Sequence, residues 1–219
     1  MDGLISCLRS HPSARRGLSV LSVLLLVGAA AFLGYPLYTN FQHDRLQGNL
    51  DTELASPRLQ QAYRDRKIGV GDALTRIKIP ALGVDTVVVE GTTETALRAG
   101  AGHYPLTSMP SENGNMAIAG HRTTYGKPIA NIDQLRPGDT ITLETPVGKC
   151  DYEVEKAPSP FRSPASMPAA WVVAPNDLRV IDQDPAKAEL TLTTCHPRGS
   201  AKERLIIRAR KVAGKAGSG

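Results

Sequence analysis

Near its C-terminal end the chain reads Leu190-Thr191-Leu192-Thr193-Thr194-Cys195-His196-Pro197-Arg198, which begins with an alternating β-strand pattern that ends on a cysteine. A second strand pattern follows, Arg204-Leu205-Ile206-Ile207-Arg208, and Gly199 and Ser200 between the two predict a hairpin turn. A hairpin centred on that turn pairs Cys195 with Arg204 and brings their Cβ atoms to about 5 Å. A guanidinium beside a thiol stabilises both thiolate and oxyanion charge. The sequence therefore predicts that Cys195 is a nucleophile.

The composition limits what the protein can be. Its 219 residues suffice for one domain with appendages, and its three cysteines are too few for a disulfide framework. The net charge of +5 arises mostly near the two ends, without interleaved aromatic residues, so we expect no nucleic acid partner. The acidic residues Glu112, Asp133 and Asp139 are scattered, and we expect no metal and no cofactor.

An uncharged apolar run extends over residues 18–38. In a helix this run spans about 31 Å, the thickness of the hydrocarbon core of a bilayer, and it therefore predicts a transmembrane helix. Arg15 and Arg16 precede the run, so residues 1–17 are predicted to be a cytoplasmic tail and the rest of the chain to lie outside the cell. A cleaved signal peptide is the alternative, but its apolar region is typically shorter.

The segments that flank the main domain have distinct compositions. Residues 39–74 are mostly polar, and we predict an extracytoplasmic stalk there, with a packed first helix of the domain as the open alternative. Residues 213–219 consist of Gly, Ala, Ser and Lys, which predicts a flexible tail.

Residues 75–212 alternate short β-like runs with Pro and Gly, which predicts an all-β domain with short helices. Eight or so strands at this spacing favour a closed or nearly closed β-barrel. The predicted strands cover residues 76–79, 85–90, 115–121, 140–144, 149–155, 171–173, 179–181, 189–195 and 204–210, and the predicted short helices cover residues 93–99 and 129–135.

Five histidines are candidates for the acid or base that a cysteine nucleophile needs. His11 lies on the predicted cytoplasmic side and His43 at the membrane surface. His196 follows Cys195 directly, so on a strand its side chain points to the opposite face. The remaining candidates are His103 and His121.

These two histidines differ in their local pattern. His121 ends the run 115–121 on the same face as Ala117 and Ala119, whose small side chains leave space beside it. It is therefore our candidate partner for the cysteine. His103, in the string Gly-His-Tyr-Pro, is predicted to be structural and hydrogen-bonded in a turn.

The other two cysteines have separate interpretations. Cys150 alternates with Tyr152 and Val154 against acidic neighbours, which predicts an inert thiol on a buried face. A disulfide between Cys150 and Cys195 is the alternative, and it would block the nucleophile. Cys7, on the predicted cytoplasmic tail, is at most an acylation site.

The chain contains three separated motifs, A-G-H-R-T-T-Y-G at 119–126, T-L-T-T-C at 191–195 and R-L-I-I at 204–207. They resemble those of sortases, the membrane-anchored cysteine transpeptidases of Gram-positive bacteria, and the second motif fits the TLxTC signature of that family. The strings at 102–105, 120–126 and 173–177 are most similar to class E. No Asp-Pro-Trp lid motif precedes the domain, unlike class C pilin polymerases.

The resemblance implies an eight-stranded sortase barrel whose catalytic residues are His121, Cys195 and Arg204. It implies that the cysteine attacks the Thr-Gly bond of an LAxTG or LPxTG sorting signal on a secreted protein and forms a thioester. An amine of lipid II, the peptidoglycan precursor, or of a pilin would then resolve the thioester. The resemblance to class E further implies a preference for LAxTG over LPxTG. The implied substrate contacts are Thr123, Tyr125, Thr193 and Thr194.

Two other functions stay open from the residues alone. The chain could be another extracytoplasmic cysteine acyl-transferase such as an L,D-transpeptidase, but the S-x-G-C-[IV]-R pattern of that family is absent. It could also be a membrane-tethered binding barrel without catalysis. An intact set of His121, Cys195 and Arg204 argues against a non-catalytic barrel.

Overall fold

The computed structural model describes residues 12–161, 163 and 165–212. The predictions for Cys7, for most of the cytoplasmic tail and for the tail at 213–219 lie outside these residues. The described α-helices are α1 (Pro12–Leu54), α2 (Pro57–Arg64) and α3 (Glu94–Ala99), and short 3-10 helices occupy Pro80–Leu82, Ile132–Gln134 and Leu178–Ile181. The described strands are β1 (Ala73–Ile79), β2 (Val84–Glu90), β3 (Ala101–His103), β4 (Gly114–Ala119), β5 (Thr140–Thr145), β6 (Gly148–Val154), β7 (Trp171–Val173), β8 (Ala188–His196) and β9 (Glu203–Val212).

Helix α1 contains the apolar run that was predicted to span a membrane. Among the described residues it is the one helix long and apolar enough to do so, judged by length and composition. Large apolar side chains such as Leu26, Phe32 and Leu33 are exposed along it. The chain divides into two compact units, of which the first ends at Thr39 and the second begins at Asn40.

The segment 39–74, predicted as a stalk, is packed against the domain from residue 40 onward. Leu50 of α1 and Leu59 of α2 are buried in one apolar cluster with Val87 of β2. The side-chain amide of Gln47 pairs with both backbone groups of Val87, donating to its carbonyl at 3.1 Å and accepting from its N–H at 2.8 Å. The segment therefore takes the form of the open alternative, a packed first helix, because its apolar residues face the barrel.

Eight strands close into a barrel in the order β6-β5-β1-β2-β3-β4-β8-β9, with β9 pairing back onto β6. The pairs β2–β3 and β4–β8 are parallel, and the other pairs are antiparallel. β9 is long enough to serve two neighbours, since its first half also pairs with β7 and its second half with β6. The predicted eight-stranded barrel with short helices is thus confirmed.

The main core is filled by apolar side chains from the barrel strands and from the segment between β4 and β5. Burying each such Leu, Ile or Val contributes about 1.5 to 3 kcal/mol, which explains why a barrel of this size needs no disulfide. The buried Trp171 lies in a separate cluster with Val173 and Ile206. The largest fully buried side chains of the main core are Tyr152, Leu74, Ile77, Ile79, Met116, Ile118, Ile129, Ile132, Leu135, Ile141 and Leu143.

Two predicted elements were wrong. Residues 179–181 form part of a 3-10 helix and not a strand, because the carboxylate of Asp177 accepts from the Arg179 N–H and starts a helical turn. The carbonyl of Val180 bonds to the side chain of Asn115 instead of to a strand. The helix predicted at 129–135 is a single 3-10 turn.

The sequence also missed one strand and extended another too far. β3 has only three residues, too few for an alternating pattern to be visible. β4 ends at Ala119, so His121 lies two residues beyond the strand.

Candidate active site

The register of three neighbouring strands brings the predicted catalytic residues together. β8 and β9 pair Cys195 with Arg204, which confirms the register deduced from the hairpin. β4 and β8 run parallel with Ala119 opposite Thr193, and the N–H of Gly120 continues the ladder to the carbonyl of Thr193 at 3.1 Å. His121 and Cys195 each lie two residues further along, so both return to the same face.

That face opens into a cleft of about 230 Å³. His121, Cys195 and Arg204 all line it. Of the predicted substrate contacts, Thr193 and Thr194 line it as well, whereas Thr123 and Tyr125 do not. The full lining is Thr92, Leu97, Tyr104, Ala119, Gly120, His121, Thr193, Thr194, Cys195 and Arg204.

His121 keeps one ring nitrogen free of protein partners. Its Nε2 is buried and has no hydrogen-bond partner among the described residues. Burial lowers the pKa of the His121 imidazole; Glu94 opposes this shift and Arg98 adds to it. A buried nitrogen without a partner costs about 1 to 3 kcal/mol, so such a group is typical of a site where a ligand completes the bonding.

Tyr125 contacts the catalytic candidate His121 without entering the cleft lining. Its ring centroid lies 5.3 Å from that of His121, with the planes tilted by 41°. The guanidinium of Arg98 stands 5.6 Å from the Tyr125 centroid, a cation–π arrangement. The Tyr125 ring therefore lies between His121 and α3.

A buried arginine supports the backbone behind the cysteine. Arg122 is only 4% exposed, and its Nη1 donates to the carbonyl of Cys195 at 3.4 Å and to Nδ1 of His196 at 3.0 Å. Its Nη2 forms an ion pair with Asp133 at 2.9 Å, and its Nε donates to the carbonyl of Ala130 at 3.2 Å. Burial lowers the pKa of Arg122, and the carboxylate of Asp133 opposes that effect.

A sortase-domain family model matches residues 77–212. The chain belongs to the sortase family. Sortase D of Bacillus subtilis (strain 168) is 32% identical over 145 residues, which is 65% of this chain and 65% of that protein. Sortase SrtE1 of Streptomyces coelicolor is 33% identical over 151 residues, which is 63% of this chain and 40% of that protein. This sortase therefore spans less than two thirds of the length of either relative.

The fold agrees with a solved sortase structure. The Clostridium perfringens Sortase D5 transpeptidase superposes with a TM-score of 0.63 at 30% identity, covering 78% of this sortase and 98% of that chain. The predicted family and fold are thus confirmed. The Streptomyces relative supports the resemblance to class E, while the other two proteins carry class D names.

Arg204 lies at the rim of the sortase cleft. Its Nη1 donates to the carbonyls of Ala201 and Glu203, both at 3.1 Å. These bonds use one of its two amino groups and fix the head of the side chain next to the hairpin turn. The remaining N–H groups of the guanidinium fork can serve a ligand.

Two threonines at the end of β8 have structural bonds of their own. The hydroxyl of Thr193 lies 3.2 Å from the hydroxyl of Tyr104, within the cleft. Thr194 donates to the carbonyl of Gly120 at 2.8 Å and so ties β8 to the residue before His121. Thr194 therefore contributes to the spacing between the cysteine and histidine strands.

The residues that the sequence assigned to structure lie away from the cleft. His103 is buried in β3 and not in a turn; its Nδ1 lies 2.8 Å from Glu90, and its Nε2 lies 2.9 Å from the hydroxyl of Thr107. Cys150 is buried, with its thiol 3.8 Å from the carbonyl of Leu143. Both described cysteines are free, so the alternative of a disulfide with Cys195 is wrong.

Sequence reasoning missed Arg122 and its ion pair with Asp133. Arg122 is part of the quoted motif at 119–126, but an arginine after a strand end is ordinarily solvated, and nothing in the local pattern indicated burial. The burial of Arg122 is visible only in the structure, where its guanidinium forms an ion pair with Asp133.

Proposed function

We propose that this sortase is a cysteine transpeptidase that cleaves a C-terminal sorting signal on a secreted protein and joins the new carboxyl end to an amine. A single observation carries the proposal. One cleft is lined by Cys195 on β8, Arg204 on β9 and His121 two residues after β4, so the three side chains that the reaction needs lie in the same cleft.

In the first half of the reaction, Cys195 passes its thiol proton to the neutral imidazole of His121, and the resulting thiolate attacks the carbonyl carbon of the Thr-Gly bond. The negative charge that develops on the carbonyl oxygen is stabilised by the guanidinium of Arg204. His121 donates a proton to the nitrogen of the departing glycine as the C–N bond breaks. The products are a thioester on Cys195 and a released fragment whose new N-terminal residue is the glycine.

In the second half, an amine of lipid II or of a pilin attacks the thioester carbonyl. The neutral imidazole of His121 accepts the proton from the attacking nitrogen, and the C–S bond breaks to release the cysteine. Since the pKa of His121 is lowered by burial, its neutral form is favoured at this step. A new amide links the protein to the acceptor.

The finer specificity we propose is LAxTG over LPxTG. Alanine keeps a backbone N–H that proline lacks, so a hydroxyl or carbonyl near that N–H favours the first motif and is left unpaired by the second. Tyr125 is our candidate hydroxyl, because its ring lies beside His121. Comparing specificity constants for the two peptides in the parent and in Tyr125→Phe tests both claims; equal constants in the parent would remove the preference.

We further propose that α1 anchors the protein in the cell membrane in a single pass, with the N-terminus in the cytoplasm and the barrel outside. The apolar run at 18–38 and the preceding Arg15 and Arg16 support this orientation. Protease protection of the barrel in intact cells would contradict it.

Mass spectrometry of the full chain in detergent micelles tests the reaction. With a Leu-Ala-x-Thr-Gly peptide we expect an adduct on Cys195 that equals the peptide up to its threonine, and its transfer to added triglycine. A peptide that binds but stays intact would instead favour the non-catalytic binding barrel.

A further inference from the structure

Helix α1 contacts the loop that follows His121 through one buried ring. His43 is 7% exposed and packs on Gly126, where an added Cβ would stand 2.1 Å from Cδ2 and 2.2 Å from Nε2 of His43. Asn40, one turn earlier on the helix, accepts a hydrogen bond from the Gly126 N–H at 3.4 Å. Only glycine fits under the ring, so this contact fixes the position of the loop.

The loop needs such support because its backbone is strained. Tyr125, Gly126 and Lys127 are consecutive and have φ values of 50°, 70° and 51°. The left-handed conformation costs about 1 to 2 kcal/mol for a residue that is not glycine. Strain of this kind persists where surrounding contacts hold the backbone. The His43 ring and the Asn40 amide supply two of those contacts.

The same histidine lies near the other support of Tyr125. Burial lowers the pKa of His43, and Asp44 and the backbone of Arg98 in α3 oppose that shift. The side chain of Arg98 lies over the Tyr125 ring at 5.6 Å, and that ring contacts His121 at 5.3 Å. His43 therefore packs on Gly126, the chain neighbour of Tyr125, and lies near Arg98, which contacts the Tyr125 ring.

Helix α1 is firmly held at this point. One turn after His43, the amide of Gln47 donates to the carbonyl of Ala99 at 2.7 Å and to that of Val87 at 3.1 Å. These bonds connect α1 to α3 and β2. Residues from Asn40 onward also belong to the same compact unit as the barrel. His43 thus extends from a fixed support.

We propose that His43 is a positioning residue of the active site, which acts through Gly126 and Tyr125 to hold the His121 ring beside the cysteine. The inference rests on the proposed function, since it concerns the same reaction. The part of α1 that follows the predicted membrane span then supports the active site and is not only a spacer.

Turnover by the full chain in detergent micelles tests this proposal, with a Leu-Ala-x-Thr-Gly peptide and triglycine. We expect His43→Ala to lower kcat by about 10- to 100-fold, as small misplacements of reacting groups do. KM should change less than about twofold, because His43 does not line the cleft. Arg45→Ala, an exposed position on the same helix, is the matched control and should keep the parental kcat.

A double variant separates positioning from a general loss of stability. Gly126→Ala should lower kcat more than His43→Ala does, because its Cβ collides with the ring. His43→Ala in the same chain removes that collision, so the double variant should be more active than Gly126→Ala alone, although the strain of a positive φ remains. Losses that simply multiply, or a parental kcat in His43→Ala, would overturn the proposal.

Titration of the His121 ring by NMR gives a readout that does not depend on turnover. In His43→Ala a looser loop admits water, and the pKa of His121 should rise toward its ordinary value. Glu94, Arg98, Cys195 and Arg204 also face this ring and are the same in both proteins. If the parent cleaves no peptide, the proposed function fails, and an unchanged titration then overturns the positioning role separately.

Discussion

The cleft and the interior of the barrel each contain one histidine and one cysteine, and the two regions treat them differently. In the interior, His103 and Cys150 are 1% and 5% exposed. Both ring nitrogens of His103 have partners, among them Glu90 at 2.8 Å. In the cleft, His121 and Cys195 are partly exposed, and Nε2 of His121 has no partner among the described residues.

The difference shows that surroundings, and not residue type, separate a structural group from a reactive one. A histidine whose two ring nitrogens both have hydrogen-bond partners is held in place and has no ring nitrogen left to bond to a substrate. A histidine with a buried, unpaired nitrogen carries a desolvation cost that a substrate can relieve. Substitutions in the cleft should therefore lower catalysis, whereas substitutions in the interior should lower stability.

The largest expected effect is the loss of peptide cleavage when Cys195, but not Cys150, is replaced. Cys195→Ala removes the only described thiol in the cleft, so cleavage of a sorting peptide should fall below detection while the thermal unfolding curve stays close to that of the parent. Cys150→Ala should retain activity within a few-fold. Peptide cleavage followed by liquid chromatography measures both. Comparable turnover in Cys195→Ala would refute the nucleophile assignment.

The next effect is on stability and concerns the interior histidine. His103→Leu leaves the buried Glu90 carboxyl without its hydrogen-bond partner, and an unpaired buried polar group costs about 1 to 3 kcal/mol, or more when it is charged. The double variant Glu90→Leu/His103→Leu should be more stable than the single one, because the Glu90 carboxyl is no longer left unpaired. Urea unfolding measures both free energies. A single variant as stable as the parent would show that His103 is not a structural anchor.

A smaller effect is expected at the rim of the cleft. Arg204→Lys keeps the charge but loses the two parallel donors of the guanidinium, and losing one oxyanion donor costs about 3 kcal/mol, a hundredfold or more in kcat. Arg198→Ala, on the same hairpin but outside the cleft lining, is the control and should stay near the parent. If Arg204→Lys stays within threefold while Arg198→Ala is inactive, the donor has been assigned to the wrong arginine.

The sequence predicted the cleft best where distance along the chain was short. The pairing of Cys195 with Arg204 follows from a symmetric hairpin, and such local geometry needs no knowledge of the rest of the fold. The side-chain period of two also placed His121 on the correct face, although β4 ends before it. Alternation fixes faces even where the hydrogen-bonded ladder stops.

The supports of the cleft could not be predicted, because they join residues far apart in the sequence. Arg122 bonds to Cys195, and His43 packs on Gly126. Each contact depends on how a loop or helix folds back on the barrel, and no residue pattern encodes that approach. The packed segment after Thr39 was left open for the same reason, since its polar composition also suits a stalk.

The smallest predicted effect is the contribution of His121 to the pH dependence of stability. Burial lowers the pKa of His121 in the folded protein, whereas in the unfolded chain it has the ordinary value of about 6.5. Above that pH the ring is neutral in both states, and stability does not depend on it. As the pH falls below about 6.5, the unfolded state binds a proton more readily than the folded state, so the free energy of unfolding decreases until the folded pKa is reached. His121→Gln should therefore lose less stability on acidification than the parent, and above neutral pH the difference in stability between the two proteins should not change with pH. Melting temperatures measured across a pH series test this, and parallel curves for the two proteins would show that the ring is not desolvated in the folded cleft.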